Sequence, residues 1–331
     1  ASRFRQAYLS YFGPLSLLLL FAVWVAALIF SFGLLHWAAG SAVNTLGGRP
    51  SFASDIYLSG TTFFTLGIGD VTPRSGLARV ITVFESGTGF GILAIVISYL
   101  PVIYGAFSER EVNISLMDAR AGSPPAAAEL LRRHAAPERA AALIEYLHEW
   151  ERWCAELMES HLSYPVLCFF RSQHSNQSWV AGLTTILDAS AFLTAYADGN
   201  LQWQAQFTFA IARHAVVDLA VVVSATPRPL LVDRLPADAR DRLRASLAQE
   251  GMNLKGAEGG EALARLRLAY EPYVHTLSRR FFMPLPEWLP PRESADNWQR
   301  TAWDLQAGAD QTKTAQRRRR LRAAVKSDGG E

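Results

Sequence analysis

The chain has 331 residues, a formal net charge of +2 and a hydrophobic fraction of 50%. Charged residues make up 19%, below the roughly 25% of an ordinary soluble domain. This composition excludes a disordered chain and a collagen-like repeat, and two cysteines are too few for a disulfide scaffold. The mean hydropathy of +0.09 is high for a soluble protein and low for one immersed throughout in lipid. Two unlike parts are therefore expected, and the length allows about two domains.

From Gln6 to Gly48 no residue carries a formal charge, and His36 is the only titratable side chain besides tyrosine. Roughly 20 apolar residues cross a hydrocarbon core of about 30 Å as a helix, and the apolar run at residues 14–39 exceeds that length. Tyr8, Tyr11 and Trp37 stand near its ends, where amphipathic rings favour the interface. The run is too long for the core of a signal peptide. A second helix is expected over residues 77–107, where Glu85 is the sole formal charge between Arg79 and Glu109. Two spans put both termini on one side. Arginines flank both faces, so their distribution decides little. The large polar C-terminal part places both termini in the cytoplasm of a multi-pass protein of the cell (inner or plasma) membrane.

Between the spans, residues 53–64 read as a short helix starting near Ser54 or Asp55. Residues 65–70 follow, Thr65-Leu66-Gly67-Ile68-Gly69-Asp70, and then Val71-Thr72-Pro73. Non-helical backbone at membrane depth is tolerated only where it is buried in protein or lines a water-filled path. Gly67 and Gly69 take backbone angles that other residues avoid, and alternating such residues can turn successive carbonyls toward one axis. A ring of carbonyl dipoles then replaces the hydration shell of a cation. Thr65 adds a carbonyl and a hydroxyl at the inner end. Asp70 at the outer mouth braces the loop or attracts cations, and Pro73 fixes the exit turn. The negative carboxyl end of the short helix also favours a cation.

This order of helix, re-entrant helix, T-x-G-x-G-D-x-x-P and helix resembles the pore module of the tetrameric potassium channel family. The nearest subgroup is the bacterial two-transmembrane channels, whose module is shared with two-pore-domain channels. The resemblance covers about residues 10–110. It implies a homotetramer around a selectivity filter of Thr65, Leu66, Gly67, Ile68 and Gly69, with K+ held at Thr65, Leu66, Gly67 and Ile68. Support is expected from Asp70, Thr62 and Glu85. The commonest filter has Val and Tyr where this chain has Leu66 and Ile68, so the usual aromatic hydroxyl cuff is absent, and Phe63 and Phe64 could supply an apolar one. Potassium selectivity, weakly selective monovalent conduction and a non-conducting membrane-anchored sensor or scaffold are the readings carried forward.

Ser86-Gly87-Thr88-Gly89-Phe90-Gly91 lies inside a span with no strand before it, which argues against a nucleotide fingerprint. Gly89 and Gly91 serve either close packing or a hinge. Pro101 removes a backbone bond and kinks the helix. Tyr99, Val102, Ile103 and Phe107 form either a hydrophobic constriction or an ordinary packed bend. Gly89, Gly91, Pro101 and Phe107 are the gating candidates. As the sole acid in its span, Glu85 is expected to face protein and to bond Thr61, Thr62 or backbone behind the filter.

The fold class expected is an all-α membrane protein: a pore module at residues 1–111 and a cytoplasmic helical bundle at 112–331, with Gly122-Ser123-Pro124-Pro125 a plausible linker. Helices are expected at 128–133, 138–161, 177–197, 201–224, 237–249, 260–282 and 308–326. The helices at 177–197 and 201–224 are very apolar, but Asp188 interrupts the first and Arg213, His214 and Asp218 the second. A bundle core is favoured over a membrane crossing, since a central charge costs about 2.5–3.5 kcal/mol on insertion. No βαβ fingerprint or catalytic signature is seen, so neither an enzyme nor a cofactor is expected, and K+ enters only as the permeant ion. His148, Cys154, His161, Cys168 and His174 lack tight metal-ligand spacing. The polar-aromatic group Tyr164, Arg171, His174, Asn176, Gln177 and Trp179 reads as a ligand site or as capping and packing. Arg317, Arg318, Arg319 and Arg320 form a basic tail that reads as a solvated helix end or as a contact for anionic lipid. Nucleic acid is not an expected partner.

Overall fold

A computed structural model describes residues 3–45, 48–173, 176–228, 232–256, 258–290 and 296–299. The first elements are α1 (Arg3–Ala38), β1 (Val43–Thr45), α2 (Phe52–Phe63), β2 (Val71–Pro73) and α3 (Gly76–Ala121). They are followed by α4 (Ala127–Arg133), α5 (Ala140–Ser163), α6 (Trp179–Tyr196), α7 (Gly199–Val222), α8 (Ala237–Gln249), α9 (Gly259–Leu268) and α10 (Glu271–Phe281). The protein is all-α apart from the short β1–β2 ladder, among the described residues. The chain divides into two compact units: residues 1–108 with 166–171, and residues 109–165 with 172–331.

In the first unit α1 and the apolar part of α3 expose most of their side chains, as helices do that face lipid or neighbouring subunits. Helix α2 is set between them by its caps. The Ser51 side chain accepts from the Ser54 backbone, the Ser54 side chain accepts from the Ser51 backbone, and Asp55 occupies the positive first turn. Asp55 is fully buried and accepts a 2.6 Å bond from the Ser41 hydroxyl. Helix α3 does not stop near residue 107, where the apolar run ends, but continues to Ala121. It ends where Gly122 takes φ +84° and the Ala126 amide bonds back to the Ala121 carbonyl at 2.8 Å. The linker read from sequence is thus the stop signal of this long helix.

In the second unit α6 is buried almost all round. Its charge, Asp188, is held rather than exposed: Arg234 donates to both carboxylate oxygens at 3.1 and 2.6 Å, and Tyr270 donates a further bond. Leu143, Leu147, Trp150 and Leu157 of α5 are buried, as their spacing requires. Helix α7 buries one face and is also long and apolar enough to cross a membrane by length and composition. The single helix expected at 260–282 is two, α9 and α10. Pro272 has no N–H for a helical bond, and its ring would strike the carbonyl four residues back; it sits instead in the first turn of α10. The segment 308–326 and the basic run from Arg317 to Arg320 lie outside the described residues.

Candidate functional site

Helix α2 ends at Phe63, and its last turn aims directly into the Thr65–Gly69 loop. The Phe64 amide bonds to the Gly60 carbonyl at 3.1 Å, the Thr65 amide to Thr62 at 3.0 Å and the Leu66 amide to Thr61 at 2.8 Å. Beyond that point the backbone alternates: φ is +56° at Thr65, +56° at Gly67 and +84° at Gly69, while Leu66 and Ile68 do not share the left-handed region. Alternation of this kind turns successive peptide groups so that their carbonyls can share one side, the arrangement a dehydrated cation needs. All five residues are exposed in the single chain.

The outer end is clamped twice. Strands β1 and β2 pair antiparallel, Val43 with Pro73 and Thr45 with Val71. Asp70 accepts from the Val71 amide at 3.0 Å. Tyr57 of α2 lines a common recess with Asp70, Thr45 and Arg49. A phenol from α2 therefore stands beside the loop's carboxylate, supplied by Tyr57 rather than by a residue at position 68. Sequence reasoning missed it. Of the two aromatic residues expected as an apolar cuff, Phe63 is fully buried and Phe64 is exposed, their rings edge to face at 5.6 Å.

Behind the loop lies a buried polar cluster that joins three helices. Glu85 of α3 is fully buried and contacts the Ser59 hydroxyl of α2, which also donates to the Ile29 carbonyl of α1 at 2.7 Å. His36 Nε2 is 3.7 Å from the other Glu85 oxygen. Glu85 faces protein, but its partner is not Thr61 or Thr62. The Thr61 hydroxyl turns back to the Leu58 carbonyl at 3.0 Å, and Thr62 contributes its carbonyl to Thr65.

The gating candidates separate. A side chain at Gly89 would land on the Phe63 carbonyl, so this glycine lets α3 touch the pore helix; Gly91 has open space around it. Gly33 of α1 also approaches α2, where an added Cβ would meet the end of the Ile56 side chain. Pro101 lies within the continuous α3. Ile103 is fully buried within the single chain, so it cannot line a constriction; Val102 and Tyr104 are exposed. Phe107 meets Phe170 at 5.5 Å and Tyr104 meets it at 6.3 Å. Phe170 comes from the short segment that returns to the first unit, and its ring also lies against Gly13.

The second unit shows no group of three metal-ligating side chains among the described residues. Burial and then the nearby Arg110 guanidinium hold the His161 imidazole well below its ordinary pKa. Arg110 Nη1 lies 3.0 Å from Nε2, and Ser160 Oγ lies 3.0 Å from Nδ1. Cys154 is buried, which pushes its thiol up, and Cys154 and Cys168 form no disulfide. Trp179 is fully buried 5.7 Å from the His161 ring, which makes it a packing residue; His174 is outside the described residues.

The comparisons agree with the first unit. The family model described as "Ion channel" matches residues 17–104. Residues 17–104 are therefore similar in sequence to ion channels. A membrane protein of Bacillus subtilis (strain 168), named as uncharacterized membrane protein YdjJ, is 33% identical over 105 residues. That stretch is 31% of this chain and 30% of the relative, so the likeness spans less than a third of either. No solved structure matches the chain. The family match and the two apolar helices α1 and α3 make this a multi-pass membrane protein.

Proposed function

We propose that the chain is the subunit of a homotetrameric, potassium-preferring channel whose permeant ion is held by the carbonyls of Thr65, Leu66, Gly67, Ile68 and Gly69. The observation that carries this reading is the alternating backbone at Thr65, Gly67 and Gly69, directly beyond the carboxyl end of α2 and between two spans. One such loop cannot surround an ion, and four copies about an axis can. Its exposure in a single chain is what a surface completed by other subunits requires. Selectivity for K+ then rests on how firmly the loop is held: Asp70 and the β1–β2 ladder anchor its outer end, and the Glu85 cluster anchors the helix that leads into it. In this reading the second unit lies in the cytoplasm with both termini, and the arginines at 317–320 meet anionic lipid.

The second reading, weakly selective monovalent conduction, is favoured by one feature: Leu66 and Ile68 bring no hydroxyl to stiffen the loop. Purified protein in liposomes distinguishes the two. Flux under a potassium gradient that exceeds flux under an equal sodium gradient is the expected result. Equal fluxes overturn potassium preference, and no flux for either ion across several pH values and lipid compositions overturns conduction.

A further inference from the structure

Helix α7 packs its buried face, including Thr208, Phe209 and Leu219, into the second unit. The opposite face has no cover among the described residues, yet it is ordered in sequence. Trp203, Phe207, Ala210, His214, Val217 and Val221 follow one another at alternating steps of four and three. Trp203 is 62% exposed and Val221 70%, and the Trp203 and Phe207 rings stack edge to face at 4.7 Å. Steps of four and three generate the seam of a left-handed coiled coil. The helix is already held by its buried face, so this seam is not needed to keep it folded.

We propose that this seam is the contact with a second copy of the chain, formed by two α7 helices side by side, parallel and in register. The flanking charges select this occupant. Arg213 stands just before the central seam position His214, and Asp218 just after Val217. In a parallel pair these flanks face each other five residues apart, so Arg213 of one copy meets Asp218 of the other, twice by symmetry. An antiparallel pair would set Arg213 against Arg213 and Asp218 against Asp218. Arg213 makes no ion pair among the described residues, and Asp218 engages only His214 of its own helix, at 3.2 Å, which leaves acceptor capacity for an arginine. Lipid is the weaker occupant despite the length and apolarity of the helix, because the Arg213 guanidinium and the His214–Asp218 pair would all enter hydrocarbon, Arg213 with no counter-charge.

The contact rests on the multimer reading but not on conduction, so the test reads association alone. The full chain carrying Val221→Cys, reconstituted in lipid, is oxidised mildly beside the parent chain and an exposed control on α8, Ala248→Cys. Native Cys154 and Cys168 are buried and set the background. Disulfide-linked dimers are expected at 221 and not at 248. Adding Arg213→Glu is expected to lower the yield about tenfold, and adding Asp218→Arg to it restores the yield. A 221 yield no higher than that of the control overturns the contact. If native mass still shows an oligomer, the multimer reading survives; if the chain is monomeric, both fall. A thiol at 221 that neither cross-links nor reacts with a membrane-impermeant maleimide assigns the face to lipid and overturns the proposal.

Discussion

Ser59 has one hydroxyl proton and two acceptors in reach, the Ile29 carbonyl and Glu85. Glu85 in turn has His36 as its only other polar neighbour among the described residues. A cluster so sparsely satisfied in a buried place depends on every member. Glu85→Ala leaves Ser59 and His36 facing a void and is expected to destabilise the module by about 1–3 kcal/mol, read as a lower Tm in detergent. Glu85→Gln keeps the volume and gives Ser59 an N–H donor, so its Tm falls less; equal losses would remove the cluster from the account. His161 offers a second residue-scale test. Its folded pKa is depressed by burial and by Arg110, so on acidification the unfolded chain takes up a proton near pH 6.5 that the folded chain refuses. Its stabilising contribution is fully present above about that pH and is lost as pH falls below it. The Tm is expected to drop between about pH 7.5 and about pH 5.5, with a shallower drop in His161→Gln; identical slopes would exclude His161 as the cause. Glu85 was legible from sequence as the lone acid of an apolar run. Ser59 and Tyr57 were not, because the rotation of α2 decides which of its hydroxyls face α3 and which face the loop.

Two glycines set how closely α2 is packed as an element. Gly33 of α1 and Gly89 of α3 lack the side chains that would hold these helices away from α2, the means by which helices approach in lipid without a hydrophobic drive. The two uses of Gly89 weighed from sequence were packing and hinging, and the structure gives it a packing contact. Gly89→Ala is expected to cost about 1–3 kcal/mol, because the atom it strikes is backbone and cannot move aside. Gly91→Ala, with open space around it, is expected to leave Tm unchanged or to raise it slightly through helix propensity. A larger loss at Gly91 would reverse the assignment. The amphipathic register of α5 was legible because burial of one face leaves a periodic trace in the sequence. The length of α3 was not, since the apolar pattern stops where lipid would stop and the helix itself stops only at Gly122.

At the scale of the molecule the intermediate hydropathy resolves into an apolar first unit and a more polar second unit built around a buried, largely apolar helix, α6. Asp188 separates the two cases. In lipid it would be costly; in the second unit Arg234 meets it with paired hydrogen bonds, and both side chains are nine-tenths buried or more. Arg234→Ala strands that carboxylate and is expected to destabilise the second unit by about 3–5 kcal/mol, measured by thermal unfolding; a loss under about 1 kcal/mol would show that the pair is not needed. The sequence displayed Asp188 as an interruption because its partner is remote along the chain and only the fold brings it near. The return of residues 166–171 to the first unit bears on how the protein can be cut. A shortened chain ending at residue 108 would keep every residue of the family match and still lack the Phe170 ring that fills the space between Gly13, Tyr104 and Phe107. The first unit is therefore not severable at residue 108: part of its packing is supplied by a stretch synthesised more than half a hundred residues later, and excision along the sequence would leave a hole where that ring belongs.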